Sequence, residues 1–174
     1  MFDAQTIIDL LTPLSITIGV IYYVMVLRNQ NKTRQIQLLM QLSDRRNEET
    51  SRKGLELLEM EWTDYDDFER KYGSDNNPDN FAMRVTFWNR FNTQGMLLRR
   101  GLVDADILFA SGGNGPMFHW NKYGPIIKEL RRRYNMPVYC TGFEYLAEEN
   151  RKFIEQRGFS TEVPDTYYRY VPEE

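Results

Sequence analysis

Apolar residues follow one another almost without a break from Ile7 to Leu27, IIDLLTPLSITIGVIYYVMVL, with Asp9 as the one formal charge. At about 1.5 Å of rise per residue, about 20 such residues cross a hydrocarbon core roughly 30 Å thick. The pattern predicts a transmembrane helix over 7–27. Pro13 lies inside it. Either the helix begins there with Thr12 as its cap, leaving a short span, or it begins near Thr6 and bends at Pro13. Tyr22 and Tyr23 fall near the C-terminal end, where membrane interfaces hold aromatic rings.

After the span the pattern becomes helical and intermittent. Residues 28–60 read as a linking helix or stalk, regular from 33 onward, with an inner face of Ile36, Leu39, Met40, Ser43, Asn47, Thr50, Gly54, Leu57 and Leu58. The apolar repeat lapses between Leu42 and Leu55, which argues against a strong coiled coil. Glu48–Arg52 and Glu49–Lys53 are favourable i,i+4 pairs.

Residues 61–159 carry apolar positions at helical spacing, broken by turn residues, and predict a helical bundle. Thr63-Asp64-Tyr65-Asp66 resembles a capping box opening a short acidic helix, with Gly73 as a left-handed stop. Ser74–Asn80 is a loop. The next helix places Phe81, Val85, Trp88, Phe91 or Asn92, Gly95 and Leu98 inward. Gly101 ends it and Leu102 folds back. Gly95 on the inner face predicts close packing by another helix, because glycine in a helix interior costs about 1 kcal/mol relative to alanine. Asp104 caps a short turn carrying Ile107, Leu108 and Phe109. Pro116 opens a helix with Trp120, Tyr123, Ile127, Leu130 and Tyr134 on one face, interrupted at Gly124-Pro125. Val138-Tyr139-Cys140 is extended. Thr141-Gly142-Phe143-Glu144 is a second capping box, opening a helix with Phe143, Leu146, Ala147, Asn150, Phe153 and Ile154 inward and Gly158 at its close. A tail, 160–174, holds Tyr167, Tyr168 and Tyr170.

Composition changes this picture little. Of 174 residues, 41% are hydrophobic and 14% aromatic, too many for a disordered chain. The net charge of −3 gives no global attraction to nucleic acid, and none is expected as a partner. One cysteine, Cys140, excludes an intramolecular disulfide, and one histidine, His119, excludes sites that need two. The N-terminus, MFDAQT, is acidic and lacks the basic start of a cleaved signal peptide. Asp3 and Asp9 precede the apolar run, whereas Arg28, Lys32 and Arg34 follow it. The positive-inside rule therefore orients the N-terminus outside and the bundle in the cytoplasm. Ser15-x-x-x-Gly19 has the spacing that lets two spans pack into a homo-oligomer, although a lone small pair is more often incidental.

FWNRFNTQGMLLRRGLVDADILF, together with the later Trp120-x-x-Tyr123-x-Pro125-Ile126-Ile127 and the preceding span, resembles the DUF4760-type family of uncharacterised, membrane-anchored bacterial and archaeal proteins. The resemblance implies the architecture and transfers no reaction, because these are packing and capping residues.

Candidate chemistry is thin. The Gly-rich loop 111–116, Ser111-Gly112-Gly113-Asn114-Gly115-Pro116, precedes a helix as a phosphate loop would. It lacks the Gly-Lys-[Ser/Thr] ending, and Pro116 removes a donor. His119 lies near it, with Ser111, Asp104 and Asp106 close in sequence, but no nucleophile elbow is present. Cys140 reads as an inert, partly buried thiol. Glu56, Glu59, Glu61, Asp64, Asp66, Asp67 and Glu69 lack calcium-loop spacing. Arg99-Arg100 and Arg131-Arg132-Arg133 suit helix C-termini. No catalytic, cofactor or metal residue is assigned. The expected protein is all-α: one span and a cytoplasmic helical bundle. Its expected role is a membrane-tethered interaction or accessory protein, held in the bilayer through 7–27 and binding a protein partner. The alternatives are an enzyme centred on His119 and the 111–116 loop, or a signalling module whose stalk transmits a change.

Overall fold

The computed structural model describes the backbone of residues 4–43, 48–110 and 113–162, and side chains from residue 13 on, apart from 39, 42–43 and 48–50. Among the described residues the chain is all-helical, with seven helices and no strand. They are α1 (Ala4–Ser43), α2 (Glu48–Glu59), α3 (Tyr65–Tyr72), α4 (Pro78–Arg99), α5 (Ala105–Ala110), α6 (Gly115–Arg133) and α7 (Thr141–Glu155). The chain divides into two units, residues 1–40 and 41–174.

In the first unit α1 begins at Ala4 and runs through Pro13, which fits the expected start near Thr6 rather than one at Pro13. Thr17 Oγ1 donates to the Pro13 carbonyl at 2.8 Å. Among the described residues no helix is long and apolar enough to cross a membrane. The side chains of 7–12, the first third of the expected span, lie outside the described ones, as do residues 44–47 of the expected stalk and 163–174 of the tail.

The second unit is built around α4, α6 and α7, with α4 packing most extensively against α7. Its core holds Trp62, Phe68, Trp88, Tyr123, Ile127 and Phe143. The end of α2 belongs to this core: Leu57 and Leu58 are buried.

Several local expectations shift by a residue or a mechanism. Asp64, not Thr63, caps α3, accepting from the Asp67 N–H at 2.8 Å, and Asp67 Oδ2 reaches back to the Thr63 N–H at 3.1 Å. Gly73 follows with extended backbone, φ −63° and ψ 159°, and is not left-handed. The loop before α4 is shorter than expected, because Asn77 caps the helix and Pro78 fills its first turn. Gly101 is left-handed, φ 65°, as expected, and the Leu102 N–H returns to the Leu97 carbonyl at 3.0 Å, but the Leu102 side chain stays exposed and Val103 is the buried residue. α6 continues through Pro125 without interruption. Residues 138–140 form turns, with the Tyr139 N–H on the Met136 carbonyl.

The expected capping box at 141–144 does not form. Cys140 takes the cap position with φ 56° and makes no side-chain cap bond. The donors are satisfied from α4: Asn92 Oδ1 accepts from the N–H groups of Gly142, 2.8 Å, and Phe143, 3.3 Å. Glu144 is thereby free to pair with Arg131 at 2.7 Å.

Candidate functional site

His119 lies on α6. α6 turns it inward, and only 5% of the residue is exposed. Its imidazole stacks on Phe87, ring centroids 5.8 Å apart, packs near Phe91 at 5.3 Å, and lies parallel to Tyr123 at 6.4 Å. Among the described residues Nδ1 has no hydrogen-bond partner, so none of their carboxylates orients the ring through it. Burial, helped by the nearby charge of Lys122, lowers its pKa to about 4. At neutral pH the ring is uncharged and serves as a packing surface.

Two further residues of α6 reach α2. Lys122, 1% exposed, donates from Nζ to the Leu58 carbonyl and lies over the Trp62 ring at 5.0 Å. The Tyr123 hydroxyl donates to the Leu57 carbonyl at 2.6 Å. Carbonyls at a helix C-terminus lack intrahelical donors and carry the negative end of the dipole, so a cation and a phenol suit them. Burial lowers Lys122 to about 8 against the opposing pull of Glu61 and Glu59, and raises Tyr123 well above the usual phenol range.

A second buried cation, Arg84, sits inward on α4 where Phe81 and Val85 were expected. Its guanidinium lies 4.3 Å from the Phe68 centroid and 5.0 Å from the Trp88 ring, and donates to the Tyr72 carbonyl at 3.0 Å. The planar, weakly hydrated guanidinium suits this setting, where it stacks on two rings and still reaches a carbonyl. Sequence pattern missed both Arg84 and Lys122. The only advance signal is that each shares a helical face with aromatic residues.

Of the Gly-rich loop, Ser111 and Gly112 lie outside the described residues. Gly113 is left-handed, φ 61°, and its carbonyl accepts from Asn150 Nδ2 of α7 at 3.3 Å. Asn150 is buried, so α7 ties this loop to the core. Asn114 makes no side-chain cap bond to α6. Asp106 pairs with Arg157 at 2.6 Å. Cys140 is buried more deeply than expected, and burial pushes its thiol up to about 11, far from the thiolate a nucleophile needs.

The basic run at 131–133 is paired, and of the acidic run Asp66 and Asp67 are. Asp67 lies against Lys71 and Arg70, which hold its carboxyl below the usual range. Arg131 bonds the Tyr139 carbonyl and Glu144, while Arg132 and Arg133 share Glu129, and Arg133 also reaches Asp66 at 2.5 Å. Arg99 donates to the Thr141 carbonyl at 3.2 Å. Among the described residues no group of three or more histidine, cysteine or acidic side chains is arranged to hold a metal ion.

The surface is more open than the interior. Val138 is 79% exposed, with Tyr134 and Met136 also exposed in the same turn between α6 and α7. A groove of about 630 Å³ runs between α2 and α4, lined by residues of both helices.

A family model described as "Domain of unknown function (DUF4760)" matches residues 13–150. No curated protein and no solved structure matches the chain.

Proposed function

The chain belongs to the DUF4760 family, and from that premise we propose that it is a membrane-tethered interaction or accessory protein whose helical domain binds another protein. The observation that carries this reading is the position of the reactive side chains. His119, Lys122 and Cys140 are all buried, and each is engaged in packing or in a bond to the backbone of a neighbouring segment. Among the described residues these side chains lie covered within the core, whereas large apolar side chains such as Tyr134, Met136 and Val138 stand at the surface.

Residues 7–27 are the proposed anchor. Its described part supports this: Leu14, Ile16, Ile18, Val20, Ile21 and Met25 are all exposed. Such positions cannot share one face of a helix, so one packed neighbour cannot cover them. A helix apolar all round calls for an apolar surround. Arg28, Lys32 and Arg34 orient the C-terminal domain to the cytoplasm.

The test is purification of the full chain from its native membranes in mild detergent. The expected result is a protein that co-purifies in fixed proportion and no hydrolysis of ester, phosphate or nucleotide substrates. Hydrolysis that disappears in His119→Ala would replace this reading with a membrane-anchored enzyme centred on His119 and the 111–116 loop.

A further inference from the structure

The groove between α2 and α4 has a definite chemistry. Lys53 and Glu56 line it from α2, and Asp79, Met83, Thr86 and Phe87 from α4. On α4 these positions recur over two turns, about 12 Å of helix at the usual rise. At about 630 Å³ the groove lies within the roughly 300–1,000 Å³ of ligand clefts. Glu56 and Asp79 are exposed and form no ion pair among the described residues, while Asn80, buried beside them, has an Oδ1 without a donor. Met83 and Phe87 are half-buried and supply apolar surface.

The surrounding sequence sharpens the sign of this surface. Residues 48–80 contain eleven acidic and four basic side chains, whereas 81–133 contain three acidic and nine basic ones. The charged walls of the groove are Glu56, Asp79 and Lys53, all from the acidic stretch, and they carry one net negative charge. With Glu56 and Asp79 outnumbering Lys53, it favours a cation attached to an apolar body over an anion.

Resting on the protein-binding reading above, we propose that this groove docks a basic, amphipathic segment of a partner protein. A lysine or arginine of that segment reaches Glu56 and Asp79, and an apolar neighbour covers Met83 and Phe87. The groove's length along α4 fits successive side chains of one helical face, the recognition mode in which a partner helix lies in a groove.

The test uses the full chain in neutral detergent micelles. The probe is a fluorescent, short amphipathic peptide of leucine and lysine; the leucine–glutamate peptide and empty micelles are controls. Saturable binding of the basic peptide alone is expected. Glu56→Gln combined with Asp79→Asn should weaken it at least about tenfold, or roughly 1.4 kcal/mol. Glu148→Gln combined with Glu155→Gln removes the same charge from exposed positions on α7 and should leave binding unchanged. Circular dichroism checks that both variants keep their helix content. Equal weakening by both pairs, equal binding of the acidic peptide, or no binding would overturn the proposal. Photo-crosslinkers at Thr86 and at Val138, used in native membranes, separate the two readings. A partner adduct at Val138 alone sinks the groove and leaves protein binding standing, and an adduct at neither sinks both.

Discussion

Gly95 of α4 and Gly142 of α7 face each other so closely that neither has room for a methyl group. A Cβ on Gly95 would overlap the Gly142 carbonyl and lie 3.1 Å from Leu146 Cβ, and one on Gly142 would overlap the Asn92 carbonyl. Two helix backbones meet here with nothing between them. Glycine to alanine in a helix interior ordinarily stabilises by up to about 1 kcal/mol. At Gly95 the sign should reverse, because backbone cannot move aside as a flexible side chain can. Gly95→Ala should destabilise the domain by about 1–3 kcal/mol in a urea melt. Gly115→Ala, where a Cβ meets nothing within 4 Å, should be neutral or mildly stabilising. Equal effects at the two sites would disprove the close crossing.

The same crossing sets the start of α7. Asn92 Oδ1 holds two of the N–H groups that a helix leaves unsatisfied at its first turn. Asn92→Ala should cost about 1 kcal/mol, the usual worth of a cap. Amide exchange should quicken first at Gly142 and Phe143. Thr141→Ala should change exchange there much less, because the Thr141 hydroxyl turns to the Val138 carbonyl instead.

Trp88 anchors the other side of α4. It is 1% exposed, with Tyr123 5.4 Å away ring to ring and Arg84 stacked against it. Trp88→Ala should destabilise the domain by roughly 3–5 kcal/mol, because it leaves a large cavity. The loss should exceed that figure's lower bound, since the Arg84 guanidinium also loses cover. A change below about 1 kcal/mol, on the order of a surface substitution, would contradict the packing.

What the sequence reveals follows from how local each cause is. Trp88, Gly95, Gly101 and the inner face of α7 are legible because helical spacing, or a single residue's conformational range, carries the signal. Asn92 is not, because a cap supplied from 50 residues away leaves no local mark. The strong local motif at 141–144 then misleads. Arg84 and Lys122 are hidden for another reason: pattern reading sends charge outward, while Phe68, Trp62 and the helix-end carbonyls of Tyr72 and Leu58 make an interior that accepts it. The candidate site suffers most. His119 stands out by being unique, yet its surroundings are built from α4 and α6 together. The groove at Glu56 and Asp79 needs α2 beside α4, which no spacing along one helix announces.

His119 should make stability depend on pH. Its pKa in the fold is about 4, below the ordinary 6.5. Between those values the unfolded chain binds more protons than the folded one, so stability falls as pH falls through that window and is fully restored above it. Every tenfold loss of proton affinity on folding is worth about 1.4 kcal/mol at the acid end of the window. Urea midpoints of the wild type should drop more steeply between pH 6.5 and 4 than those of His119→Phe, which keeps the aromatic stack. Parallel pH profiles would mean that the imidazole is not held neutral.

The chain is well suited to a test of membrane topology. Its one cysteine, Cys140, is buried with its thiol pKa raised to about 11, so it should react little with a thiol reagent while the domain is folded. Ala4→Cys puts a thiol before the apolar run, and Ser160→Cys puts one on the exposed stretch after α7. With Asp3 and Asp9 on one side and Arg28, Lys32 and Arg34 on the other, a membrane-impermeant maleimide added to intact cells should label position 4 and spare position 160. Breaking the cells should expose position 160 to the reagent, and the protein should stay with the membranes after an alkaline carbonate wash. Labelling of position 160 alone in intact cells would reverse the orientation and put the acidic groove outside. Release by carbonate would remove the anchor altogether: an apolar run that truly spans the bilayer cannot leave it without exposing some 20 hydrophobic residues to water, a cost that washing at high pH does not offset.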